Sequence, residues 1–401
     1  VKRFHLSQEA RRAKLERDQV KIDQYQKLTA SIFARRDNGE VSLKVFDETT
    51  SLLMMNPEFY TVWNIRRETL RGLYDQGKGT ENGDDLGNSP SIPLESILET
   101  VYVEYLDDDL KLILALLKRF PKCYWIWHHR RWCLFELFDL GKVNWKYEFA
   151  VVSKLLELDS RNFHGWQYRR FVVENIERQA VTNVVERKVS PEISSGNSSS
   201  IDTEGQDLAL LTINVDEFNY TTAKINKDIS NFSAWHNRSK LIPKLLNLFH
   251  SVADPSLFRD VQTHFQSPTS ILMHELALIK TGIYMDSDDT SVWLYLYWLL
   301  TDDLFVHDLR QQNQSYIEIL QDQLEIVEEL NALEKDDHIY NLDNCWCLKT
   351  ILLLKALIRR EKKESQLSDD MKENLQTLMT IDPLRKGKYM DQLEGRSRIV
   401  V

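Results

Sequence analysis

Apolar residues recur along this chain at helical rather than strand spacing. VFDETTSLLMM, DDDLKLILALLKRF, YEFAVVSKLLEL, FNYTTAKINKDI, ELALIKTGIYM and QLEIVEELNAL each set Leu, Ile, Val, Phe or Met three, four or seven positions apart. That period marks an amphipathic helix. A short polar break follows each run, and a second helical segment then opens on an aromatic motif. FYTVWNIRR carries Trp63, PKCYWIWHHRRW carries Trp127, NFHGWQYRR carries Trp166 and NFSAWHNRS carries Trp235. DTSVWLYLY at Trp293 and DNCWCLK at Trp346 are weaker copies. The pattern predicts a repeated helical hairpin, and a repeat is an architecture before it is a site.

Within the motif, Asn162, Asn231 and Asp289 stand four residues before the tryptophan, where they can cap the N–H groups of the new helix. An aromatic lies three before it (Tyr60, Tyr124, Phe163, Phe232), and an arginine three after it (Arg66, Arg130, Arg169, Arg238). The last spacing puts Trp and Arg on one helix face. Trp63, Trp127, Trp166, Trp235 and Trp293 are therefore expected to seal one hairpin against the next. The arginines are expected at their edge, bonded to backbone carbonyls or carboxylates at the seam. Both sets read as framework.

Ahead of the repeats, Ser7 to Arg36 predicts a charged opening helix with a stripe of Val20, Tyr25, Leu28, Ile32 and Phe33, stopped at Asn38-Gly39. Gln76 to Pro93 and Ser190 to Asp207 are rich in Gly, Ser, Asn and Asp and read as flexible insertions within repeats. Behind the repeats the pattern weakens. Leu320 to Leu333, Trp346 to Arg360 and Asp369 to Met379 read as helices, and Asp382-Pro383 as a break. The expected fold is one all-α domain over residues 1–401, a right-handed superhelix, or crescent, of stacked antiparallel hairpins.

Composition narrows the function classes. Hydrophobic residues at 42% and charged residues at 28% suit a soluble protein with an extensive core, 13 Gly and 9 Pro favour helices over sheet, and the four cysteines read as reduced thiols of a cytoplasmic protein. A net charge of −10 argues against a nucleic-acid binder. No apolar run is long enough to insert in a membrane, and the opening residues hold no apolar core of a secretory signal. Cys123, Cys133, Cys345 and Cys347 form no CxxC pair, so no metal site is expected from this chain. His128 and His129 are adjacent, but neighbours on a helix point about 100° apart and make poor joint ligands.

The repeat Asn/Pro–x–aromatic–x–x–Trp–x–x–Arg resembles that of protein prenyltransferase alpha subunits, from about Leu6 to the closing DPLRKGKYMDQL. Within that family the chain resembles the type II, Rab geranylgeranyltransferase, branch. The basic opening helix, Trp-Asn in NPEFYTVWNIRRETL, and the repeats NFHGWQYRRFVVENIE and NFSAWHNRSKLIPKL carry that likeness. No leucine-rich or immunoglobulin-like additions of the animal relatives are present, so the likeness is to a fungal form. The resemblance implies a heterodimer whose beta subunit holds the zinc and most of the isoprenoid pocket. The implied reaction transfers geranylgeranyl from geranylgeranyl diphosphate, bound at the subunit interface, to C-terminal cysteines (XXCC and XCXC types) of Rab GTPases. A Rab escort protein would present the substrate. Two alternatives stay open: the alpha subunit shared by farnesyltransferase and type I geranylgeranyltransferase, and a tetratricopeptide-like scaffold.

Lys122 stands out among the repeats. The matching positions hold Glu58, Arg161, Ser230 and Asp288, and a framework position should look alike across copies. In the family, the lysine of the matching Pro-Lys-x-Tyr motif faces the diphosphate, and Pro121-Lys122-Cys123-Tyr124 keeps that pattern. His164, two residues before Trp166, matches a family histidine near the same group. The resemblance thus implies that Lys122 and His164 stabilise the leaving diphosphate. Tyr124 and Phe163 would line the same rim, although their recurrence favours packing.

Overall fold

The computed structural model describes residues 8–78, 94–189, 198–311 and 316–399. These residues form helices joined by short turns, with no strand among them. In chain order the helices are α1 (Gln8–Asp37), α2 (Leu43–Met55), α3 (Tyr60–Lys78), α4 (Leu94–Arg119), α5 (Tyr124–Asp139), α6 (Trp145–Leu158), α7 (Phe163–Val189), α8 (Ser198–Lys227) and α9 (Phe232–Ser251). They continue with α10 (Arg259–Gln262), α11 (Pro268–Met285), α12 (Thr290–Thr301), α13 (Asp303–Gln311), α14 (Tyr316–Asp337), α15 (Cys345–Glu361), α16 (Asp369–Ile381) and α17 (Lys386–Leu393). The predicted runs become the first helices of the hairpins α2/α3, α4/α5, α6/α7, α8/α9, α11/α12 and α14/α15.

Residues 79–93 and 190–197 lie outside the described residues. Ser198 to Asp207, expected as loop, instead opens the long helix α8, while Gln76 to Lys78 ends α3. The opening stripe is also only half used. Ile32 is fully buried, but Val20, toward the free end of α1, is exposed.

Two compact units divide the chain: residues 1–154 with 162–170, and residues 155–161 with 171–401. Each is held by the same device. In the first unit Trp63 and Trp127 are buried, and each indole Nε1 donates to the carbonyl six residues earlier, Pro57 and Pro121, both at 2.9 Å. In the second, Trp235 and Trp293 do the same to Ile229 at 2.7 Å and Ser287 at 2.8 Å. The tryptophan thus fills the seam and pins the turn that precedes its own helix. The indole N–H finds the partner that burial requires.

Arg66, Arg130 and Arg238 bolt three helices each, and Arg169 joins two. From α3, the Arg66 guanidinium donates to the Phe46 carbonyl and Thr49 hydroxyl of its own hairpin at 2.9 Å, and to Asp109 on α4 at 3.0 Å. On α5, Arg130 bonds the Leu110 carbonyl at 3.0 Å and Glu148 on α6 at 2.6 Å. In the second unit Arg238 on α9 bonds Thr222 of α8 and Glu275 of α11, both at 2.7 Å. Arg169 donates to Ser153 at 2.7 Å and lies over the Phe149 ring, as Arg66 and Arg238 lie over Phe46 and Phe218. Each of these buried carboxylates accepts hydrogen bonds from two nitrogens of its arginine, the pairing by which a buried charge is tolerated.

A third member of the bolt was not anticipated. Two residues after the tryptophan, His129, Tyr168 and Tyr295 bond the carboxylate that grips the preceding arginine: Asp109 at 2.8 Å, Glu148 at 2.7 Å and Glu275 at 2.7 Å. Burial first and the adjacent carboxylate second hold the hydroxyls of Tyr168 and Tyr295 well above the ordinary phenol range, so they remain donors.

The last hairpins depart from the pattern. Asn344 caps α15 through the N–H groups of Trp346 and Cys347, so the wedge position four residues on is the buried Leu348. Trp346 is displaced from it, half-buried, with the Lys349 ammonium 4.8 Å from its ring. The arginine position is taken by Leu296 after Trp293, which leaves an apolar seam.

Candidate functional site

The turns between α4 and α5 and between α6 and α7 carry the two residues singled out above. After Arg119 the chain bends through Pro121, and Cys123 opens α5 without a side-chain cap. The Cys123 thiol is buried and bonded to the Pro57 carbonyl at 3.4 Å; burial pushes it up to about 11, so it stays protonated. Lys122, between Pro121 and Cys123, is exposed and forms no ion pair among the described residues.

Asn162 organises the neighbouring turn. Its Oδ1 accepts the N–H of His164 at 3.1 Å and of Gly165 at 3.4 Å, which caps α7 as the sequence predicts. Its Nδ2 donates back to the Pro121 carbonyl at 3.0 Å, the oxygen that also takes the Trp127 indole. His164 is thereby brought against the Lys122 turn. Burial lowers its pKa from the ordinary histidine value, opposed by the Glu58 carboxylate and by a hydrogen bond to the Lys122 backbone.

Around His164 the rings of Phe163 and Tyr124 lie 4.0 and 6.2 Å away, centre to centre. Tyr124 and Phe163 are 50% and 61% exposed, so the packing role favoured by their recurrence is not what they do in the chain alone. The reason is geometric. They occupy the first position of their helices, above the seam that the tryptophans fill. Lys122, Tyr124 and Phe163 are exposed and His164 half-buried, all on the two helix openings that Asn162 ties together.

The adjacent histidines face different neighbours, as helix geometry requires. His128 meets the Arg67 guanidinium at 3.1 Å on the half-exposed side. His129 is fully buried against Asp109, and burial, opposed by Asp109, drives its pKa down to about 4. Asp109, His129 and Cys133 bring their donor atoms within 4.8 Å of one another, the spacing of a metal cluster. They do not fit a catalytic ion. Arg66 and His129 already engage the carboxylate, burial pushes the Cys133 thiol well up, and the group is sealed inside the seam.

The comparisons with known proteins fall on the hairpins themselves. The family model for the "Protein prenyltransferase alpha subunit repeat" matches residues 106–137, 145–176, 215–245 and 272–302, the hairpins of Trp127, Trp166, Trp235 and Trp293. A Candida albicans protein named "Geranylgeranyl transferase type-2 subunit alpha" is 48% identical over 100% of this chain and 98% of its own length. This chain belongs to the geranylgeranyl transferase type-2 alpha subunits. The Saccharomyces cerevisiae protein of that name is 32% identical over 98% of both chains. A solved structure, "Candida albicans protein geranylgeranyltransferase-I complexed with GGPP", covers 94% of this chain and 91% of its own with a TM-score of 0.51. At 16% identity it shares the fold. Full-length relatives thus place the chain among type-2 subunits rather than with the shared farnesyltransferase subunit or a tetratricopeptide scaffold. Among the residues of this type-2 subunit, sequence reasoning missed the back-bond of Asn162 and the carboxylates Asp109, Glu148 and Glu275. The recurrence of His129, Tyr168 and Tyr295 two places after Trp127, Trp166 and Trp293 was the signal that could have found the latter.

Proposed function

We propose that this alpha subunit works as half of a heterodimer that transfers geranylgeranyl from geranylgeranyl diphosphate to the C-terminal cysteines of Rab GTPases, in the cytoplasm, with a Rab escort protein presenting the substrate. The observation that carries the reading is that Asn162 ties together the two helix openings that carry Lys122 and His164, with Tyr124 and Phe163 exposed on the same openings. In the transfer a thiolate sulfur attacks the allylic carbon, the C–S bond forms, and the C–O bond to the diphosphate breaks. Negative charge grows on the departing diphosphate, and donors placed there lower the barrier. The Lys122 ammonium supplies a full charge. The His164 ring offers a further N–H to the diphosphate, and a bound anion favours its protonated form. Tyr124 and Phe163 line the rim beside them.

The beta subunit supplies what these residues lack. Zinc, which generates a thiolate at neutral pH, is expected there. The test is to co-express this chain with a beta subunit and assay transfer to a Rab and to a CaaX peptide, with and without escort protein. Escort-dependent modification of the Rab alone is the expected result. Efficient modification of CaaX peptides without escort would contradict the type-2 reading.

A further inference from the structure

A side chain that caps a helix needs only an acceptor. Asp289 serves α12 that way, its Oδ1 taking the N–H of Ser291 at 2.9 Å. Asn162 does more, because an amide also donates. With 5% exposure it is nearly buried, and its Nδ2 closes on the Pro121 carbonyl at 3.0 Å. That oxygen takes the Trp127 Nε1–H as well, so both of its lone pairs are used and its orientation is fixed from two sides. Lys122 follows Pro121 in the chain, and His164 is the residue whose N–H the other end of Asn162 holds at 3.1 Å. A single side chain therefore sets the spacing between the two turns that bear the proposed diphosphate donors.

We infer that Asn162 is a positioning residue for the transfer reaction: it holds the Lys122 turn in register with His164 so that both reach the departing diphosphate together. This rests on the proposed role of Lys122 and His164. A displacement of about 1 Å at a site like this can cost about a hundredfold in rate. Asn162→Asp keeps the size and the capping oxygen but replaces the N–H donor with a second acceptor facing a carbonyl, which pushes the turns apart.

The second unit contains a matched control. Asn231 caps α9 through the N–H of Ala234 at 3.2 Å and donates its Nδ2 to the Ser160 carbonyl at 2.8 Å, the same pair of bonds reaching the turn before Asn162 but neither the Pro121 carbonyl nor the Lys122 turn. The experiment is single-turnover transfer by the full heterodimer bearing Asn162→Asp, Asn231→Asp, Lys122→Ala, or Asn162→Asp with Lys122→Ala, alongside melting temperatures. The two asparagine variants are expected to lower the melting temperature alike. Only Asn162→Asp is expected to slow the transfer, by about ten- to a hundredfold, and adding it to Lys122→Ala should slow that variant much less. Equal rates for the two asparagine variants, or fully additive losses in the double variant, would overturn the inference. If Lys122→Ala keeps the wild-type rate, the role proposed for Lys122 fails, and the inference falls with it whatever Asn162→Asp does.

Discussion

At the scale of single residues, this chain shows one position doing one job with different chemistry. His129, Tyr168 and Tyr295 each steady the carboxylate that grips an arginine. A tyrosine there has no charge to gain in acid, whereas a histidine has. His129 sits at about 4 in the fold, below the ordinary value of about 6.5 that it regains on unfolding. The unfolded chain therefore takes up a proton that the folded chain refuses. Stability is whole above about pH 6.5, declines as the pH falls toward 4, and levels off below, a loss of up to ~3 kcal/mol from this group. His129→Tyr, the residue that the Trp166 and Trp293 repeats use, should remove this part of the acid sensitivity. Melting temperatures of the heterodimer at pH 7.5 and 5 read it directly: the drop between them should shrink in the variant, and an unchanged drop would assign the sensitivity elsewhere.

At the scale of elements, the hairpins were legible because their causes are local. Apolar spacing set the first helices, and Asn162, Asn231 and Asp289 marked where the second ones start. The Trp–Arg offset placed both residues in the seam. What stayed hidden depended on partners far away in sequence. Nothing near Arg130 says that Glu148 will meet it, and nothing near Trp346 says that Leu348 will take its place in the seam. Ser198 to Asp207 misled because a Ser- and Gly-rich composition weighs against a helix that its continuation into α8 sustains. The bolt makes a quantitative claim. Arg130→Ala would leave Glu148 buried with only the Tyr168 hydroxyl for company, at a cost of ~3–5 kcal/mol. Arg130→Met combined with Glu148→Leu should recover much of that loss, since the seam at Leu296 is apolar already. Thermal unfolding of the two variants distinguishes a bolt from an ornament: near-wild-type stability of Arg130→Ala would make it the latter.

At the scale of the whole molecule, the framework is closed and the chemistry is left open. The tryptophans, the arginines and their carboxylates are buried and mutually satisfied, and the Asp109–His129–Cys133 group is spent on structure. The residues proposed for the reaction stand outside that framework, on turns, where a rigid scaffold can present them to a partner. No helix among the described residues is long and apolar enough to cross a membrane. The central claim is that the partner activates the thiol while this chain stabilises the leaving group. The measurement that tests it most directly is the single-turnover rate of geranylgeranyl transfer by the heterodimer carrying Lys122→Ala, with diphosphate affinity measured beside it. The account predicts a barrier higher by ~2–4 kcal/mol with affinity nearly unchanged. A wild-type rate would return Lys122 to the solvent and leave this chain as scaffold only.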